Sequence, residues 1–166
     1  NYIAVFWNQT TKWDAKKWLD ESLDGYEFLQ ECCCYRNNCK KPQGINGTHK
    51  QFRYSWEPVF IYRRKGFDRD ITPSNHSLGN DLTDIDHHSA SYPTAVNNSH
   101  RFREHDCQKP VSAMRWLVHG MTEPGEMVVD CFCGSASSGI AALQLGRKFH
   151  GIEIDKQSLA IADDRL

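Results

Sequence analysis

The chain has 166 residues, enough for one domain with a core of its own, and 39% of them are apolar against 25% charged. No apolar run approaches the roughly 20 residues needed to span a bilayer, and no secretory leader is visible, so a cytoplasmic protein without a membrane partner is expected. The net charge of −1 argues against nucleic acid, but it hides an asymmetry: residues 36–65 hold eight basic residues and one acid, whereas residues 66–107 hold seven acids and three bases.

In chain order, residues 2–7 (YIAVFW) read as a buried strand. Ala15, Trp18, Leu19, Ser22 and Leu23 then fall on one helical face that stops near Gly25. Residues 26–35 read as a second strand and residues 56–64 as a third, where Pro58 argues for a sheet edge or a strand start. Between them lies a loop rich in Asn, Gly and Pro. Lys40, Lys41, Lys50 and Arg53, interleaved with Phe52, Tyr54 and Trp56, suit phosphate contact and base stacking. Arg36 opens this basic run, and DNA is the partner it implies; a solvated basic loop is the plainer reading.

Residues 66–107 lack periodicity and carry five of the eight histidines, which read as solvated loop residues rather than metal ligands. The seven cysteines form no paired CxxC framework and read as reduced thiols, so no metal is expected.

Order returns at residue 108. Pro110 suits the first turn of a helix with Val111, Met114, Leu117 and Val118 on its apolar face. A strand over 127–130, a helix over about 137–145, a strand over 148–154 and a last helix with Leu159, Ala162 and Leu166 on one face follow. Alternating elements of this kind imply a mainly parallel sheet.

The stretch VVDCFCGSASSGIAALQLGRKFHGIEID (residues 128–155) is a strand, a glycine turn, a helix, a strand and an acid. Gly134 permits a sharp turn, the helix amides that follow can meet an anionic group, and Glu153, 23 residues after Asp130, is placed to accept from ribose hydroxyls. A dinucleotide pyrophosphate needs the backbone approach of G-x-G-x-x-G. Here Gly134 and Gly139 are the only glycines in the turn, which favours S-adenosylmethionine, a cofactor without phosphates, over a nicotinamide cofactor.

The series QKP, helix, P-G-x-x-V-x-D-x-F-x-G-S, G-x-E-x-D resembles the permuted DNA amino-methyltransferases that modify adenine N6 or cytosine N4, closely over residues 105–166 and more weakly over 2–65. The resemblance implies an α/β, Rossmann-like methyltransferase fold with a mainly parallel sheet and helices on both faces. It further implies that Asp130, Phe132, Cys133, Gly134 and Ser135 line the cofactor's methionine end, with Cys131 and Ser137 of the same turn also among the cofactor-binding residues. Glu153 would hold the ribose, and Lys109, Pro110 and Ser112 would complete the pocket. Residues 1–65 would belong to the catalytic half, 66–107 to the target-recognition region and 108–166 to the cofactor half.

The chain departs from the family at Cys131, where proline is usual, and at Ala136, where glycine is usual; if position 136 needs φ > 0, alanine there is strained. The family's catalytic Pro-Pro-aromatic turn is absent, since no Pro-Pro occurs in the chain. No catalytic residue is therefore assigned. A central strand carrying that turn is expected to come from an upstream segment or a second chain, and the isolated chain is expected to be inactive. A non-catalytic relative that binds nucleic acid or a partner is the alternative.

Overall fold

The structure is a computed structural model, and it describes residues 1–8, 11–35, 56–69, 71 and 108–166. They fall into two compact units, one drawn from residues 1–69 and one holding residue 71 and residues 108–166.

The first unit has the order β1 (Tyr2–Phe6), α1 (Lys12–Ser22), β2 (Tyr26–Tyr35) and β3 (Trp56–Arg64). Its sheet has the strand order β1-β3-β2, with β3 antiparallel to both neighbours. The boundaries of β2 and β3 are those read from the sequence. The edge position that Pro58 suggested for β3 is not what forms, because β3 is the central strand. Pro58 is tolerated because its carbonyl accepts the Trp7 N–H (3.1 Å) just beyond the last residue of β1. The ring nitrogen, on the same side of the strand as that carbonyl, therefore faces the point where the β1 ladder has already run out.

Alternation along β3 sends Phe60 and Tyr62 toward α1, where they pack with Ala15 and Leu19 and with the partly buried Ile3, Val5, Leu23 and Tyr26. Val59 and Ile61, on the opposite face, are also buried. The stripe α1 buries is Ala15-Leu19, with Leu23 beyond it, narrower than the sequence suggested: Trp18 is 57% exposed and Ser22 lies in solvent. The Tyr62 hydroxyl donates to Asp20 Oδ1 (2.7 Å), and Lys16 Nζ holds the same carboxylate while sitting 3.8 Å from the centre of the Phe28 ring. Burial, and then the Asp20 charge, raise the Tyr62 phenol above its ordinary range.

The second unit runs α2 (Val111–Met121), β4 (Met127–Asp130), α3 (Ser137–Gln144), β5 (Lys148–Gly151) and α4 (Lys156–Arg165). Strands β4 and β5 pair in parallel, Met127 opposite Lys148 through Asp130 opposite Gly151. Parallel pairing is thus found here and antiparallel pairing in the first unit, so the two described sheets are mixed in sense. Pro110 stands as the N-cap of α2, one residue ahead of the helix, and Ala113, Met114, Leu117, Val118 and Gly120 are buried. Arg147 is buried and anchors the end of α2, donating from Nε to Thr122 Oγ1 (3.0 Å), from Nη2 to the Thr122 carbonyl and from Nη1 to the Leu145 carbonyl.

Of the face expected on α4, Ala162 is buried, together with Ser158, whereas Leu159 and Leu166 are exposed. Ser158 can be buried because both its N–H (2.8 Å) and its hydroxyl (2.7 Å) bond to the N-cap carboxylate of Asp155. Among the described residues no helix is long and apolar enough to cross a membrane, and no group of three or more His, Cys, Asp or Glu side chains is arranged to hold a metal.

Candidate cofactor site

The candidate site lies at the carboxyl ends of β4 and β5, the end of a parallel sheet where ligands bind. The ladder extends past both strands: the Ile152 N–H donates to the Asp130 carbonyl (2.8 Å) and the Cys133 N–H to the Ile152 carbonyl (3.1 Å). That pairing brings the turn after β4 beside the turn after β5, and so sets Glu153 next to Gly134.

Asp130 organises its own turn. Its Oδ1 accepts the Phe132 N–H (3.0 Å) and its Oδ2 the Ser138 hydroxyl (2.5 Å). Glu153 spans the two turns, with Oε2 accepting the Gly134 N–H (2.8 Å) and Oε1 the Asp155 N–H (2.9 Å). The amides of Asp155 and Gly134 together hold its carboxyl below the ordinary carboxylate range. A carboxylate can accept about four hydrogen bonds, so these amides leave it acceptor capacity for a ligand hydroxyl.

The chain turns left-handed twice within three residues, at Gly134 (φ 51°) and Ala136 (φ 56°, ψ 36°). The condition under which alanine at 136 is strained is therefore met, at a residue that is 0% exposed. A non-glycine residue in this region costs about 1–2 kcal/mol. Two further glycines allow close packing behind the turn. A Cβ at Gly139 would lie 2.6 Å from the Phe149 ring, and one at Gly151 would lie 2.9 Å from Cys133 Sγ.

Ala136 is the N-cap of α3 and cannot cap with its side chain, so the first amides of that helix carry no side-chain cap. Immediately after it, Ser137 Oγ is buried without a hydrogen-bond partner. Gln108 Oε1, in the QKP segment, is likewise buried and unpartnered. For two large apolar groups in the turns after β4 and β5 the reverse holds: Phe132 is 90% exposed and Ile154 is 97% exposed.

Of the residues singled out from sequence, Asp130, Cys131, Phe132, Cys133, Gly134, Ser135, Ser137 and Glu153 are gathered in these two turns and the start of α3. Cys131 and Phe132 face solvent; Cys133, Ser135 and Ser137 are buried. Burial, with the charges of Asp130 and Glu153 behind it, pushes the Cys133 thiol up, which keeps it protonated at neutral pH. Lys109 and Pro110 precede α2 and Ser112 lies in its first turn, all three partly buried, on a helix that packs against α3. Arg36, Lys40, Lys41, Lys50 and Arg53 lie outside the described residues. Sequence reasoning missed Ser138 and Ile154. Ser138 is one of several adjacent serines, with nothing local to mark it as the partner of Asp130, whereas Ile154 could have been noticed as an apolar residue in an acidic turn.

A parallel β-α-β unit with a glycine turn after its first strand and an acid after its second is the arrangement of the Rossmann-like methyltransferase fold. The chain belongs to the DNA methylase family (N6_N4_Mtase), which it matches over residues 2–164. It is 38% identical over 63 residues to the type II methyltransferase M2.DpnII of Streptococcus pneumoniae, a stretch covering 38% of this chain and 24% of that protein. It is 35% identical over 65 residues to the DNA adenine methyltransferase YhdJ of Escherichia coli (strain K12), covering 39% of this chain and 22% of the other. The matched stretch is thus about a quarter of the length of these relatives.

Among solved structures, M1.HpyAVI in its SAM complex superposes with a TM-score of 0.76 at 20% identity, over 99% of this chain and 74% of that one. The cytosine-N4-specific PvuII DNA methyltransferase superposes at 0.73 and 15% identity, over 100% of this chain and 64% of that one. At these identities the likeness establishes the fold.

Proposed function

We propose that this chain supplies the S-adenosylmethionine-binding part of an enzyme that methylates an exocyclic amine of DNA, adenine N6 or cytosine N4. The observation that carries the reading is the start of α3, where uncapped amides and the buried, unpartnered Ser137 hydroxyl converge on a turn too poor in glycine for a pyrophosphate. A carboxylate such as that of a methionine moiety satisfies both. The exposed Phe132 and Ile154 offer apolar contact, Glu153 has acceptor directions left for ribose hydroxyls, and Lys109, Pro110 and Ser112 close the pocket from α2. S-adenosylmethionine brings a methyl group on a sulfonium, which needs no metal to leave. The relatives' names cover both adenine and cytosine-N4 enzymes, so both bases stand.

Transfer requires a group that accepts hydrogen bonds from the target amine, and the family's Pro-Pro-aromatic turn is absent from these 166 residues. The two described sheets are separate, one of three strands and one of two. We infer that the strand bearing the turn is supplied by another segment or a second chain, and that residues 66–107 contribute to target recognition. Arg36, Lys40, Lys41, Lys50 and Arg53 contact DNA phosphates.

Calorimetric titration with S-adenosylhomocysteine tests the cofactor reading. Binding by the chain, weakened by Phe132→Ala and absent for NAD, is the expected result. Binding of NAD with no response to S-adenosylhomocysteine sinks it.

A further inference from the structure

The left-handed residue at position 136 is an alanine, and a strained backbone persists only where its surroundings over-determine it. The bonds around it are specific. The Ala136 N–H donates to the Cys133 carbonyl (2.7 Å), and the Ala136 carbonyl accepts the Ile140 N–H (3.0 Å). The remaining face of the 135–136 peptide, the Ser135 carbonyl, accepts from Nη1 of Arg165, the last residue of α4. A side chain 30 residues downstream thus grips the one peptide whose rotation would let Ala136 leave the left-handed region. Arg165 is itself partly buried.

We propose that Arg165 is a positioning residue for the cofactor turn. Its charge-assisted bond to the Ser135 carbonyl holds the strained Ala136 in place, and through it the amides and hydroxyl at the start of α3 that follow directly. The cofactor part of this inference rests on the function proposed above. The mechanical part, coupling between positions 165 and 136, does not.

The test is a double-mutant cycle in the full chain with Arg165→Met, Ala136→Gly and both together, with Arg165→Lys as the conservative variant. Arg165→Met should weaken S-adenosylhomocysteine binding about tenfold, the scale of one lost bond to a charged group. Arg165→Lys should lose less. The loss should shrink to about threefold or below when position 136 is glycine, because glycine needs no restraint to stay left-handed. A purely structural arginine would cost the same in both backgrounds, and that result overturns the proposal.

If the unaltered chain binds no S-adenosylhomocysteine, the functional reading fails first. Hydrogen exchange at the position-136 amide then decides the coupling. Faster exchange in Arg165→Met, with a smaller acceleration in the glycine background, upholds it; unchanged exchange overturns it. Should Arg165→Met fail to fold, the same comparison is made with Arg165→Lys.

Discussion

The two units of this protein solve packing in opposite ways. In the first, bulk does the work: Val59, Phe60, Ile61 and Tyr62 run through the middle of an antiparallel sheet and are all buried. In the second, the buried positions of α3 and the turn before it are Ala, Ser, Gly and a single Cys, and the backbone comes close enough that a single Cβ at Gly139 would collide with Phe149. The first arrangement draws stability from apolar area and tolerates small shifts. The second draws it from close approach and from polar locks such as Asp130–Ser138 and Glu153–Gly134. That leaves unpaired donors where a ligand can use them.

The contrast can be broken by substitution. Phe60→Ala should cost the most, about 3–5 kcal/mol in urea unfolding, because the ring is wholly buried beneath α1. A loss below about 1 kcal/mol would mean that stability does not reside in that core. Gly139→Ala comes next, at about 1–3 kcal/mol from overpacking against Phe149. Trimming the ring should recover part of it: Phe149→Leu in the Gly139→Ala background that leaves the loss unchanged would show that the clash is not its source.

The smallest effect concerns pH. The fold holds the Glu153 carboxyl low, so its contribution to stability is complete above the unfolded-chain value and is lost as pH falls through the lower folded value. Across the neutral range it should be flat. Nuclear magnetic resonance of the Gly134 amide should therefore titrate below the ordinary carboxylate range. In Glu153→Gln that titration should vanish; its persistence would assign it to another acid.

The elements were legible where periodicity and punctuation agreed. Residues 26–35 and 56–64 announced themselves as strands, and the glycine at 134 and the acid at 153 announced the two turns that meet at the ends of β4 and β5. Pro58 misled because its missing donor matters only on the side where a partner strand continues, and β1 stops short of it. Trp18 misled because a helical face predicts which residues can be buried, not how wide a strip the sheet covers. The locks within the site were illegible for a different reason. Asp130 reaches Ser138 and Arg165 reaches Ser135 across intervals that only the folded β-α-β path brings together. At Ala136 the sequence posed a conditional question about φ, and only backbone geometry could answer it.

Phe132 and Ile154 have one more consequence. Two large apolar side chains held almost fully in water carry a shell of ordered hydration. A ligand that covers them releases that shell, so its association should show a negative heat-capacity change, with an enthalpy that grows more favourable on warming. The mouth of the turn would then have a calorimetric signature of its own, separable from the polar contacts beneath it.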